Sequence, residues 1–398
     1  MLNGPPPLRL NRLALTGFRS YATLTWRPQA RITVLHGPNG SGKTNLLEAI
    51  SLLVPGRGLR GARISELQRI GAAAWAVAAR FDTPDGPMDI GTGSIPEGRL
   101  ERRAFRLDGA PPRSQAEVAR RVAAVWLTPQ MDRLFQEAAS GRRRFLDSLV
   151  HALEPSHARE VAAHDTAMAG RNRLLVEGRR DPAWLAGLED SMARHAVAAT
   201  AARMDVVARL NAAPAEGAFP AARLVLDCPV AARLAVEPAL AVEDWLRAEL
   251  AAGRLGDAAQ GSARLGAHRS DMGLEDAATG LPAALASTGQ QKALLIGVVL
   301  AHAGLLAAVR GFAPLLLLDE PAVHLDPDRR AALFDALRRT PAQVFLTGTD
   351  AAIFVPLRGH AEALRTTGTG LEPDPDCPTP MPAPECGKTG QSQGNPLC

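Results

Sequence analysis

Eight residues, Gly37-Pro38-Asn39-Gly40-Ser41-Gly42-Lys43-Thr44, fit the pattern G-x-x-x-x-G-K-[ST] in full, and few short patterns restrict a chain so narrowly. An apolar run, Arg31 to Leu35, precedes them, and Asn45 to Ile50 follows with helical periodicity until Pro55-Gly56 stops it. The order is strand, loop, helix. Glycines let the backbone fold round a polyphosphate, so that successive N–H groups and the positive end of the helix dipole face its oxygens. Lys43 is expected to reach the β- and γ-phosphates, and the Thr44 hydroxyl to take a place on Mg²⁺. A glycine-rich turn with no ligand is the competing account, and the strand-helix setting disfavours it.

A second set of residues supplies what a phosphate loop lacks. Leu315 to Leu318 is a continuous apolar run, suited to a strand buried on both faces, that ends in Asp319-Glu320. Asp319 is placed to hold Mg²⁺, and Glu320 to orient or deprotonate an attacking water. Val122 to Leu127 is also apolar and runs into Thr128-Pro129-Gln130-Met131-Asp132, where Gln130 can put its amide oxygen on the metal or the water. Ser287-Thr288-Gly289-Gln290-Gln291-Lys292 opens a helix from about Gln290 to Val309 with Ser287 as N-cap, a second anion-seeking helix start. His324-Leu325-Asp326 follows the acids, and Val344 to Leu346 ends at Thr347-Gly348-Thr349-Asp350, another strand tip.

Lysine occurs at Lys43, Lys292 and Lys388, while all other members of the 45-residue Lys+Arg set are arginine. The surviving lysines are therefore informative. Lys43 is the compact point charge a phosphate loop requires. Lys292 lies in the second motif, and Lys388 in a Pro/Gly/Ser/Gln-rich stretch after Glu372 that reads as a disordered tail. A formal charge of +4 allows nucleic acid as a partner without requiring it. At 398 residues the chain should hold about two domains. No uncharged apolar run of ~18 residues and no signal-peptide pattern are found. Cys228, Cys377, Cys386 and Cys398 lack metal-ligand spacing. A cytoplasmic protein is expected.

Along the chain, Leu8 to Leu15 alternates and reads as an edge strand, followed by Gly17-Phe18-Arg19-Ser20-Tyr21. That turn is either packing for its aromatics or a means of bringing Arg19 to bound phosphate, where its fork could pair with oxygens. Ala73 to Phe81 and Arg99 to Leu107 read as strands separated by the turns at Pro84 to Pro87 and Ser94 to Gly98. A two-residue period puts Arg102 and Arg106 on one face and Arg103 on the other, as a solvated face or a phosphate-backbone contact. Arg142 to Arg209 is helical with a break at Asp181-Pro182, Leu224 to Leu226 is strand-like, and Val242 to Leu250 is an amphipathic helix. No heptad repeat is sustained, so a compact helical subdomain is expected rather than an arm. His268, between Arg264 and Arg269, reads as structural, with a surface contact as the alternative.

In that order the phosphate loop, Gln130, the Ser-x-Gly-Gln signature, the apolar run with Asp319-Glu320 and the Leu325-Asp326 turn resemble ABC-type ATPase heads. Within them the chain is similar to the RecF family of bacterial recombination mediators. Gly17 to Tyr21, Gly37 to Asn45, Arg142 to Asp147, Gly266 to Asp271, Ser287 to Lys292 and Leu317 to Asp326 carry the likeness, over most of residues 8 to 370. The resemblance implies an α/β P-loop fold with a mixed sheet. An ATPase head would comprise residues 1–135 and 262–371, with a helical insert at 136–261 and the tail at 372–398. It implies ATP and Mg²⁺ as cofactors, held by Gly37 to Asn45, Arg19 and Asp326 and, from the signature helix of a second copy, Ser287, Gly289, Gln290 and Lys292. Thr44, Asp319 and Gln130 would serve the metal, and Glu320 and Gln130 the chemistry. It further implies an ATP-dependent homodimer with weak, DNA-stimulated ATPase activity that binds double-stranded or gapped DNA and assists RecA loading with RecO and RecR. A transporter ATPase subunit is the alternative, but such heads carry a His where this chain has Thr347-Gly348-Thr349. A chromosome-structural ATPase is another, and it requires heptads that residues 131–286 lack.

Overall fold

The computed structural model describes residues 7–97, 100–179, 181–214 and 219–374. The chain begins with β1 (Arg9–Phe18), β2 (Tyr21–Trp26) and β3 (Ile32–His36). Next come α1 (Lys43–Ser51), the short α2 (Ile64–Leu67), β4 (Ala76–Thr83), β5 (Gly86–Glu97), β6 (Leu100–Leu107), α3 (Gln115–Arg121) and β7 (Ala124–Leu127). A helical stretch follows: α4 (Ala139–Leu153), α5 (His157–Val176), α6 (Pro182–Ala212), β8 (Ala222–Asp227), α7 (Pro229–Leu234), α8 (Ala239–Ala252) and α9 (Arg254–Gln260). The chain then returns through β9 (Asp271–Asp276), α10 (Thr288–Arg310), β10 (Leu315–Leu318), α11 (Pro327–Arg339), β11 (Val344–Gly348), β12 (Ala361–Thr366) and β13 (Leu371–Pro373).

A six-stranded sheet of order β13-β12-β3-β11-β10-β7 forms the centre, parallel except for β13. Its strands are apolar on both faces because both are covered. Leu35, Ala124, Leu315, Leu317, Phe345 and Leu364 pack with α1 and a second sheet. Ile32, Val34, Val125, Leu127, Leu316, Leu318, Val344 and Leu346 pack with α4, α10 and α11. By length and composition α10 could cross a membrane, yet its apolar stretch is two-thirds buried within the protein.

The second sheet is antiparallel, in the order β2-β1-β4-β5-β6. β1 therefore lies inside it, paired with both β2 and β4, and the edge position expected of Leu8 to Leu15 is corrected. Its alternation reflects one buried face, which edge and interior strands of an antiparallel sheet share. Between the two expected strands lies β5, whose glycines, prolines and serines hid its pairing with both neighbours. Arg102 and Arg106 are exposed on one face. Arg103, on the other, donates to the carbonyls of Leu52, Val54 and Gly56 and closes the carboxyl end of α1. Arg99 lies outside the described residues.

In the insert, α5, α6 and α8 build a small core of their own around Met192, Ala196, Val242 and Leu246. The 31-residue α6 folds back against α5 and α8. Phe145, Leu146 and Leu149 of α4 and Val206 and Leu210 of α6 belong instead to the core under the central sheet. Two ion pairs and a hydrogen bond reinforce the seam: Arg142 donates two bonds of 2.7 Å to Asp271, Arg203 forks onto Asp147 at 2.8 and 3.0 Å, and Arg143 donates to the Ser270 carbonyl. His268 is part of this seam. It stacks on His164 and bonds the Ala263 carbonyl at 2.9 Å, and burial pushes its pKa down to about 4.

The fold extends past the expected tail boundary at 372, because β13 pairs with β12 through Pro373. Asp374 then meets His36 at 2.9 Å, at the root of the phosphate loop.

Candidate nucleotide site

Parallel registers bring the chemistry to one edge. His36 sits opposite Gly348, and Leu318 opposite both Leu127 and Leu346, so the phosphate loop, Asp319, Thr347 and the Gln130 turn all leave the carboxyl ends of adjacent strands. Ligands of open α/β sheets gather there.

Gly42, the N-cap of α1, has a φ of 95°. A Cβ there would lie 2.7 Å from the Tyr21 hydroxyl, which donates to the Gly42 carbonyl at 3.2 Å. Only glycine fits. Tyr21 is thus both core aromatic and floor of the loop, and burial raises its pKa to about 12. On the other side the Ser41 and Thr366 hydroxyls are 2.5 Å apart, and Thr366 donates to the His36 carbonyl. Pro38, Asn39 and Gly40 form the exposed crest. Lys43 is buried and donates to the Gly37 and Pro38 carbonyls at 2.7 and 2.9 Å. Burial lowers its pKa, and the Glu320 and Asp319 carboxylates oppose that shift.

The Thr44 hydroxyl donates to Asp319 Oδ1 at 3.0 Å, joining the loop to the tip of β10. The Thr347 hydroxyl donates to the same oxygen at 2.6 Å and accepts from the Glu320 amide at 2.8 Å. Glu320 itself has a φ of 50°, a left-handed backbone uncommon outside glycine. One hydroxyl and one carboxylate beside a phosphate loop fit Mg²⁺, which prefers few protein oxygens together with phosphate and water. Among the described residues no cluster of three or more His, Cys, Asp or Glu could hold a metal without such help. Gln130 is exposed on the turn Pro129–Arg133 beyond β7.

Ser287 caps α10 reciprocally with Gln290: its hydroxyl accepts from the Gln290 amide at 3.3 Å, and the Gln290 side chain accepts from the Ser287 amide at 3.0 Å. Ser287 and Thr288 are exposed. Gly289 packs so tightly that a Cβ would stand 2.8 Å from the His324 carbonyl. Asp326 is exposed, caps α11 by accepting from the Arg329 amide at 2.8 Å, and pairs with the Arg329 side chain.

Three residues expected at the nucleotide make contacts within the chain. Arg19 forks onto Glu48 with two bonds of 2.8 Å and donates to the Glu66 carbonyl, because a buried carboxylate on α1 needs a cation within reach. Asn45 bonds the Ser20 hydroxyl and Arg60. Lys292 is 1% exposed and bonds Asp132 and the Glu320 carbonyl of its own chain. Its place in a motif suggested a ligand, whereas its partners are internal. The sequence reading missed Thr366 and the contact role of Asp132. Asp132 stood in the run after Gln130, but Thr366 carries no local pattern.

Fold and site define an ABC-type ATPase head. The family described as "RecF/RecN/SMC N terminal domain" matches residues 9–357. A "DNA replication and repair protein RecF" of Mesorhizobium japonicum is 46% identical over 378 residues, covering 94% of this chain and 100% of that one. One of the same name from Agrobacterium fabrum is 46% identical over 368 residues, 91% of this chain and 98% of that one. Among solved structures, "the recombination mediator protein RecF-ATPrS in RecFOR pathway" matches with a TM-score of 0.80 at 20% identity, over 93% of this chain and 99% of that one. The chain belongs to the RecF family of DNA replication and repair proteins.

Proposed function

We propose that this protein is an ATP-gated DNA clamp. The reading rests on two features of one chain that would complement each other across a pair of copies. The phosphate loop is bonded to Asp319 through Thr44, and elsewhere the capped start of α10 has Ser287 and Thr288 open to solvent. ATP would lie on Gly37 to Thr44 of one copy and be covered by the Ser287 helix start of another, so that occupancy and pairing are one event. Thr44, Asp319 and Gln130 would hold Mg²⁺, which supplies charge neutralisation at the phosphates. Glu320 accepts a proton from the attacking water as the bond from the γ-phosphorus to the ADP oxygen breaks.

The family's name in DNA replication and repair supports DNA as the partner, with closure of two heads creating a basic groove for double-stranded or gapped DNA. Weak ATPase activity stimulated by DNA would reopen it. The RecFOR pathway named with the solved RecF structure supports RecO and RecR as partners; assistance in loading RecA and a cytoplasmic location belong to the same proposal. The test is sedimentation of Glu320→Gln at saturating ATP and Mg²⁺, with and without duplex. A dimer that dissociates on ATP removal is expected, and a monomer under all conditions would sink the clamp.

A further inference from the structure

The first turn of α10 faces two ways. Its Ser287 end is open to solvent, while Lys292 is 1% exposed and reaches into its own head. There the ammonium lies 3.1 Å from Asp132 Oδ2 and 2.9 Å from the Glu320 carbonyl oxygen. Asp132 stands two residues past Gln130 on the same turn. Glu320 is gripped from both sides, its carbonyl by Lys292 and its amide by Thr347. A buried ammonium that loses a partner is strongly penalised, so the contacts of Lys292 to Asp132 and the Glu320 carbonyl tie the helix start to both. One buried ammonium placed between Asp132 Oδ2 and the Glu320 carbonyl oxygen suits a lysine in a chain of arginines, since a forked guanidinium does not reduce to one point charge.

We propose that Lys292 is a positioning residue that couples the two nucleotide sites of a paired molecule. When the α10 start of one copy closes on the partner's nucleotide, Lys292 transmits that movement to the Glu320 backbone and the Gln130 turn of its own copy. Each site is then set for hydrolysis only when its copy has engaged the other. This rests on the pairing reading above.

The test compares native protein, Lys292→Met, Lys292→Arg and Asp132→Asn, with ATP as the probe and thermal melting as the check on folding. In Lys292→Met, ATP affinity stays within about twofold, kcat falls about tenfold and the Hill coefficient drops from near two towards one. Asp132→Asn keeps the Glu320 contact and falls between the two, whereas Lys292→Arg fails to restore coupling. Native kcat and Hill coefficient in folded Lys292→Met overturn the relay, as does a rise in KM with kcat unchanged. Should Lys292→Met not fold, an unchanged Hill coefficient in Asp132→Asn overturns it as well. Pairing of Glu320→Gln, measured in parallel, separates failure of the relay alone from failure of the clamp, which removes both.

Discussion

Thr347 holds Asp319: its hydroxyl donates to Asp319 Oδ1 at 2.6 Å while accepting the Glu320 amide at 2.8 Å. Both acids of the site are thereby oriented by one hydroxyl at the tip of β11, near the position where transporter-type heads carry a histidine. A hydroxyl with both neighbours inside the protein has its orientation fixed before any ligand arrives.

Replacing Thr347 by Val preserves shape but leaves the Glu320 amide without its acceptor and Asp319 Oδ1 with only the Thr44 hydroxyl. The expected cost is about 1–3 kcal/mol of stability, with hydrolysis slowed more than ATP binding. Thr347→Ser should recover most of both. Melting curves and steady-state turnover decide it, and native turnover in the Val variant would show that Asp319 is oriented by something else.

Lys43→Met should abolish tight ATP binding, because the phosphate charge goes unanswered. Its loop should stay folded, since Tyr21, Ser41 and Thr366 hold it without the lysine. Equilibrium binding of a fluorescent ATP analogue measures this, and retained affinity would remove Lys43 from the site.

Tyr21 makes stability alkali-sensitive. Its pKa is about 12 in the fold, against about 10 for an unfolded tyrosine. The stabilisation is complete below pH ~10 and is lost as the pH rises towards the folded value, because the unfolded chain ionises first. In Tyr21→Phe that component of the alkaline loss should vanish, at the expense of the Gly42 hydrogen bond. Denaturation midpoints at a series of pH values between neutrality and the alkaline limit provide the measurement.

Asp147 does the same at the acid end. Burial raises its pKa, but hydrogen bonds from His157 and Arg203 outweigh burial and leave it lowered. The stabilisation is present above the unfolded value of about 3.9 and disappears as pH falls through the folded one. Asp147→Asn strands the buried Arg203 and should cost roughly 3–5 kcal/mol at neutral pH, flattening acid unfolding. An acid limb identical to native would assign the transition to other carboxylates.

The phosphate loop, β10 and the capped start of α10 were legible because each is local: the chemistry and the geometry lie within a few consecutive residues. Pairing partners were not. β5 carries glycines and prolines where a strand pattern expects branched residues, and β1 alternates as an edge strand would although strands flank it on both sides. Arg19, Asn45 and Lys292 were read by proximity to motifs, yet each answers a buried or neighbouring polar group from a distant segment. Residue type predicted that they bind an oxygen. Which oxygen depended on tertiary contacts.

The left-handed backbone at Glu320 sets stability against function. Holding a side chain at φ 50° costs of order 1 kcal/mol that glycine would not incur. Glu320→Gly should therefore melt at least as high as the native chain, and on the role proposed for Glu320 it should lose hydrolysis. A screen selecting only for heat resistance would drift towards silencing the protein at that position.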